Sequence, residues 1–153
     1  WTLAAKICSI GNAEASEMIA YRVKIKTPKG FLDRASQKIE TVVATQILKD
    51  TAPYVPMSGA AAGLSNRAYV DGGDVVYPGP YARFLYEGKV MVDPNTGSTY
   101  APKGGTKVTT DRNLVFRQDH HGMATDHWFE ASKAENESKW LRVARKAAGH
   151  EFK

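Results

Sequence analysis

The side chains best equipped for acid–base or ligand chemistry crowd into one stretch, QDHHGMATDH, as Asp119, His120, His121, Asp126 and His127. Imidazoles and carboxylates are the donors from which zinc and hydrolytic sites are built. A small metal-dependent enzyme acting on nucleic acid, working through His120, His121 and His127, is the function they would serve. Their spacing argues against it. Adjacent His120 and His121 project differently, His127 comes six residues later, and neither H-E-x-x-H nor a cysteine pair accompanies them. A polar loop leading into a helix explains the same residues.

The remaining chemical signals are weaker. YAPKGGTK lacks the G-x-x-x-x-G-K-[ST] order of a phosphate loop, because Lys103 precedes the glycines. Ser58 in MSGAAAG stands outside any G-x-S-x-G and reads as turn chemistry. Cys8 is the single cysteine, so no internal disulfide forms, which fits a reducing compartment. Asn136-Glu137-Ser138 is a glycosylation sequon only in letters, since it falls within an expected helix. The residues point to no catalytic site, no metal and no cofactor, and the chain reads as a non-enzyme.

Composition allows a binding or structural role. A chain of 153 residues with 42% hydrophobic content can bury a core of its own. No apolar run approaches the roughly 18 residues of a membrane span, and the N-terminal WTLAAKICSIGNAEA has neither the basic start nor the apolar run of a signal peptide. The net charge of +5 favours polyanions only mildly, because 16 acidic residues are interspersed with 21 basic ones. The densest basic cluster, Lys139, Arg142, Arg145 and Lys146, lies near the end of an expected helix, where the helix dipole favours cations.

The expected elements give an α+β order. YRVKIK alternates Tyr21, Val23 and Ile25 with Arg22, Lys24 and Lys26, as a half-buried strand does. From Phe31 to Thr51, Leu32, Ala35, Ile39, Val42, Val43 and Ile47 mark an amphipathic helix ended by Pro53 and Pro56. Residues 54–66 read as a flexible small-residue connector. RAYVDGGDVVY predicts a hairpin with Gly72 and Gly73 both at positive φ. In YPGPYARFLYEGK, Pro80 opens and Gly88 closes a two-turn helix. There Tyr81, Phe84 and Leu85 form the buried stripe, while Arg83, Tyr86 and Glu87 face away. KVMVDPNTGSTYAP predicts a second hairpin turning at Pro94 and Gly97, KGGTKVTTD a loop or ragged strand, and NLVFR a further strand. A closing helix runs from His127 to Ala148, capped by Thr125 or Asp126 and stopped by Gly149, with Phe129, Trp140, Val143 and Ala147 inward. The expected architecture is a long N-terminal helix and a C-terminal helix packed on a small, mainly antiparallel sheet, with a short inserted helix and extended hairpins.

The ordered segments LKDTAPYVPMSG, YPGPYARFLYEGK and TDRNLVF…DHWFEASKAENESKWLRVARK resemble the minor capsid proteins of tailed phages, and through them the neck and tail-completion family. The matching positions are Tyr54, Val55, Pro56, Gly59 and Leu64, then Tyr81, Ala82, Arg83, Tyr86 and Gly88, then Trp128, Trp140 and Leu141. The resemblance covers roughly residues 18–150. It departs at MSG, where the family often has Asp-Thr-Gly, and at the AAAG inserted before Leu64. Residues 1–17 fall outside it and read as an N-terminal arm or extension, leaving 18–153 as a single domain.

The resemblance implies a virion structural protein at the head–tail junction, assembled in the host bacterial cytoplasm. It implies a six-fold homo-oligomeric ring between a portal or head-closure protein and a tail terminator or tail tube protein. Phage DNA would pass through with transient, non-specific contact, and no membrane is involved. A tail terminator or decoration protein is the neighbouring alternative. A ring needs heterologous interfaces, and such interfaces favour Tyr and Arg. Arg83, Tyr86, Pro94, Asn95 and Tyr100 are accordingly the subunit-contact candidates, and Lys103 and Lys107 the candidates for facing DNA.

Overall fold

The computed structural model describes residues 2–10, 18–26, 33–57, 63–79 and 81–151. Strand β2 (Met18–Lys26) pairs antiparallel with β1 (Thr2–Ile10) along its whole length. On its other side, Ile19–Arg22 pair with β4 (Asp74–Tyr77), and β4 pairs in turn with β3 (Tyr69–Asp71). The sheet order is β1-β2-β4-β3, antiparallel throughout. The segment outside the family resemblance therefore contributes an edge strand. In β2 the expected alternation holds where side chains are described. Tyr21 and Val23 are buried, and exposed Arg22 meets Asp74 across the strand pair at 3.1 Å.

The β3–β4 turn departs from expectation at one residue. Gly72 has φ of 58°, whereas Gly73 is not left-handed. Only the first central residue uses glycine's freedom, the pattern of a II′ rather than an I′ turn. Gly73 is needed for another reason, since a Cβ there would meet Glu40 Cβ at 3.1 Å and the Val23 carbonyl oxygen at 3.3 Å.

Helix α1 spans Asp33–Thr51, and Phe31 and Leu32 lie outside the described residues. Ile39, Val43, Ala44 and Ile47 are its buried positions, while Val42, expected inside, is 47% exposed. Ile39, Val43 and Ile47 recur every four residues and Ala44 flanks them, so a residue one step before Val43 is rotated by a quarter-turn or more to the other margin of the stripe. Past Thr51 a single 3-10 turn, Ala52–Tyr54, takes Pro53 without losing a needed N–H. The expected flexible connector is instead anchored at both ends. Tyr54, Val55 and Pro56 are buried, and Leu64 enters the core from a one-turn helix, α2 (Leu64–Arg67). Ser58 and Gly59 lie outside the described residues, as does Pro80.

Helix α3 (Ala82–Glu87) leads into β5 (Lys89–Val92), which pairs with β6 (Val108–Asn113) as a separate two-stranded sheet. The second hairpin thus forms, but its return strand is Val108–Asn113 rather than residues near Tyr100. NLVFR is not a strand beyond Asn113, and Val115 is 95% exposed. Beyond the Lys89–Asn113 pair one more bond follows in register, from the Leu114 N–H to the Gly88 carbonyl at 2.7 Å.

Helix α4 runs Trp128–Glu151, passing through Gly149 instead of stopping there. A glycine costs an internal turn about 1 kcal/mol and ends a helix only when it turns left-handed. At the other end His127, at φ of 41°, occupies the cap position in place of Thr125 or Asp126, and its carbonyl accepts the Ala131 N–H at 3.2 Å. The hydroxyl of Thr125 is engaged elsewhere, on Asp126 Oδ1 at 3.2 Å.

Helices α1 and α4 pack side by side over the four-stranded sheet. Tyr21 stacks on Phe129 at 4.5 Å between ring centres, and Phe129 stacks on Trp140 at 5.9 Å. The helix pair is fastened by polar side chains. Asp50 accepts from Lys139 at 2.6 Å, Trp140 Nε1 at 2.9 Å and Gln46 at 3.0 Å. Partial burial disfavours the charged carboxylate, but these three donors outweigh it and hold Asp50 below the usual carboxylate range. Thr51 donates to Ser132 at 3.1 Å inside the core, and Tyr54 OH to Glu135 at 2.7 Å. Burial, then the neighbouring Glu135 carboxylate, push the Tyr54 phenol up to about 12. The result is the expected α+β architecture, with α1 and α4 laid on an antiparallel sheet.

Candidate functional site

The contact candidates fall into two environments. The first is the junction of α3 with α4. Gly88 ends α3 in the left-handed conformation at φ of 65°, and its N–H reaches the carbonyls of Phe84 and Leu85. A Cβ at Gly88 would sit 2.7 Å from Asp126 Cβ, so the position requires glycine for both dihedral and space. The inward residues of α3 are Ala82 and Tyr86, one helical turn apart, with Phe84 and Leu85 half-buried.

That corrects the expected facing of two tyrosines. Tyr86 is 4% exposed rather than outward, and Tyr81, expected in the core, is 42% exposed. The helix begins after Tyr81, which leaves that ring at the cap, where its hydroxyl accepts from Arg67 at 3.3 Å. Tyr86 is long enough to fill the core and still satisfy its hydroxyl. Its ring meets Trp128 edge-on at 4.8 Å and Tyr21 at 5.8 Å, and its hydroxyl donates to the Glu130 carboxylate. Burial, reinforced by Glu130, raises the Tyr86 phenol far above its ordinary range. Tyr86 is a packing residue, not a surface contact. Arg83 remains outward, with its guanidinium 3.1 Å from Glu87.

The second environment is the arm made by β5, β6 and the connection 93–107. Asp93 organises its turn. The buried carboxylate accepts the N–H groups of Asn95 at 2.7 Å and Thr96 at 3.1 Å, and the Asp93 N–H donates to the Ser98 carbonyl at 2.7 Å. Gly97 takes φ of 68°, the left-handed position expected of it. Pro94, Asn95, Tyr100, Lys103 and Lys107 are all exposed along this one connection, Tyr100 by 86%. Lys107 is not free-swinging, since its ammonium donates to the Thr99 carbonyl at 2.5 Å. The structure therefore gathers five of the seven candidates on the arm, places Arg83 on the helix before it, and removes Tyr86 to the core.

The histidine loop does not converge. His121 Nδ1 lies 2.8 Å from the Val55 carbonyl, an acceptor, so that nitrogen donates. His120 sits 3.7 Å from the Asp119 carboxylate, and His127 packs on Tyr86 with ring centres 5.0 Å apart. The Asp119 carboxyl is held low by its own backbone N–H and then by Arg117 and His120. Among the described residues no group of three or more His, Cys, Asp or Glu is placed to hold a metal ion. The loop works as a clasp. Thr125 N–H donates to the Tyr54 carbonyl at 3.0 Å and His127 N–H to the Tyr86 carbonyl at 2.9 Å. It thereby ties the Y-V-P turn and the Y-A-R-x-x-Y helix to the start of α4. Sequence reasoning missed this role because backbone acceptors leave no mark on residue type.

The three segments that this clasp joins are the ones carrying the family resemblance. No helix among the described residues is long and apolar enough to cross a membrane. No curated protein and no solved structure matches the chain. A family model described as minor capsid protein matches residues 19–148, from β2 nearly to the end of α4 and across the whole clasp. The chain belongs to the minor capsid protein family, whose members are structural components of the virion.

Proposed function

We propose that this minor capsid protein acts at the head–tail junction, as one subunit of a homo-oligomeric ring through which DNA passes. Six-fold symmetry is the reading taken from its resemblance to the neck and tail-completion proteins. The observation that carries the proposal is the β5–β6 arm, a two-stranded sheet separate from the four-stranded one, whose β6 is exposed at five of six residues. An arm with an open strand and an exposed Tyr100 suits a heterologous contact, in which one patch meets a different patch on the next subunit. Lys103 and Lys107 on the same arm suit a lumen that DNA slides through without being gripped.

In this reading the partners above and below are a portal or head-closure protein and a tail terminator or tail tube protein. The role is mechanical and not catalytic, which the divergent directions of His120, His121 and His127 support. The test is electron microscopy of lysates from a phage with an early stop codon in this gene. Separate DNA-filled heads and finished tails are the expected outcome. Normal joined particles would overturn the junction role.

A further inference from the structure

Strands β3 and β6 each leave one edge without a neighbouring strand among the described residues, and they belong to different sheets. Strand β3 ends the order β1-β2-β4-β3, and β6 pairs with β5 alone. Along an antiparallel strand, successive residues turn their N–H and C=O alternately toward one side and the other. The Val23 N–H bonds to the Gly73 carbonyl at 3.0 Å, so Gly73 faces β2 and Asp74 faces β3. Asp71, opposite Asp74, faces back toward β4, which leaves the N–H and C=O of Val70 on the outer edge. In β6 the Leu114 N–H reaches the Gly88 carbonyl on the β5 side. Asn113, one step before it, therefore turns its N–H and C=O outward.

The side chains around these two positions are complementary. Asp71 and Arg112 are exposed, and neither side chain has a partner within the chain among the described residues. Tyr69 is 47% exposed on β3, and Val115 is 95% exposed just past β6. An antiparallel register with Val70 opposite Asn113 lets the two outward residues exchange both backbone bonds. It sets Asp71 opposite Arg112 and Tyr69 opposite Leu114, with Val115 one step further along. A slip of one residue turns one strand's outward groups onto a face already in use. A slip of two places Asp71 opposite Leu114 or Thr110 and loses the charge pair.

We propose that β6 of one subunit adds to the β3 edge of the next, so that the four-stranded sheet continues into its neighbour's arm. Each edge supplies the occupant the other requires. The two edges are different patches, so the contact is heterologous, the kind that generates rings. Self-pairing leaves the charges unused. Two copies of β6 joined through Asn113 would set Arg112 against Leu114, and two copies of β3 joined through Val70 would set Asp71 against Tyr69. The inference rests on the homo-oligomeric ring proposed above and names the surface that meets the arm.

Assembled particles carrying Asp71→Cys and Arg112→Cys together with Cys8→Ser, exposed to a mild oxidant, test it. Residues opposite one another in such a ladder lie within disulfide reach. Disulfide-linked multimers larger than a dimer are expected, and none when either new cysteine is omitted. Dimers alone, no linkage, or linkage to a different virion protein overturns the proposal. Charge reversal carries the test if the cysteine variant does not assemble. Asp71→Arg and Arg112→Asp should each cut the multimers captured by an amine-reactive crosslinker about tenfold, and the two together should restore them. A double reversal that restores nothing also overturns the pairing. Amine crosslinking of the wild type reads the ring itself. Multimers there without disulfide-linked multimers discard this edge pairing alone, whereas monomers in both discard the ring with it.

Discussion

Tyr86 and Tyr100 are the same residue type in opposite settings, and they represent the two halves of this molecule. Tyr86 belongs to an aromatic layer with Tyr21, Trp128 and Phe129, where each ring has ring neighbours and the Tyr86 hydroxyl has a carboxylate partner. Tyr100 stands 86% exposed on a turn organised by backbone hydrogen bonds to Asp93. The lysines divide likewise, since Lys139 closes the Asp50 cluster while Lys103 lies out on the arm. The difference teaches that the body and the arm are held together by different kinds of contact. The helix–sheet body packs its side chains into a core, whereas the arm is held by its strand ladder and by polar bonds such as those of Asp93 and Lys107, with Tyr100 left exposed.

Four substitutions would break or sharpen that division. Trp140→Ala should have the largest effect, about 3–5 kcal/mol of lost stability from cavity and transfer terms together, read by denaturant unfolding. A loss under about 1 kcal/mol would mean that the stack with Phe129 is not central to the body. Asp50→Ala should cost about 2–3 kcal/mol at neutral pH, because Trp140 Nε1 loses its buried acceptor and Lys139 its partner.

That cluster also fixes a pH dependence. The folded Asp50 carboxyl titrates below its unfolded value of about 3.9, so its stabilisation is complete well above that pH. It is lost as the pH falls through the folded value, and the thermal midpoint of the wild type should drop faster below about pH 4 than that of Asp50→Ala. Parallel acid limbs would show that the carboxylate is not held down in the fold.

Tyr86→Phe should cost about 1.5–2 kcal/mol, the low end for a hydrogen bond to a charged acceptor, and should leave particle yield intact if stability is restored. Lost assembly with unchanged stability would return Tyr86 to the surface. The smallest effect on folding belongs to Tyr100→Ala, within about 0.5 kcal/mol of wild type. Its yield of joined particles should nevertheless fall, and an unchanged yield would remove the arm's aromatic from the contact.

Periodicity made the long elements legible. Ile39, Val43 and Ile47 at helical spacing identified α1, the alternation around Tyr21 and Val23 identified β2, and turn chemistry at Pro94 and Gly97 located the bend of the arm. Short elements were not legible at the level of single residues. In a six-residue helix a start displaced past Tyr81 rotates the whole apolar face, which is why Tyr81 and Tyr86 exchanged places. The arm's return strand was misplaced because Val108–Asn113 has no buried face to impose alternation, and an exposed strand writes little into its sequence. The clasp had no signal at all, since His121, Thr125 and His127 act through backbone carbonyls.

What the sequence determined by itself is the class of the molecule, an α+β body with two long helices, and through its ordered motifs the minor capsid family. Both follow from local rules, hydrophobic period and turn residues, that are read along the chain. What only the tertiary structure decided is the allotment of like residues to unlike tasks. Burial depends on neighbours brought from far along the chain, as when Glu130 meets Tyr86 and Lys139 meets Asp50. No local pattern encodes which tyrosine finds a carboxylate and which is left on the surface.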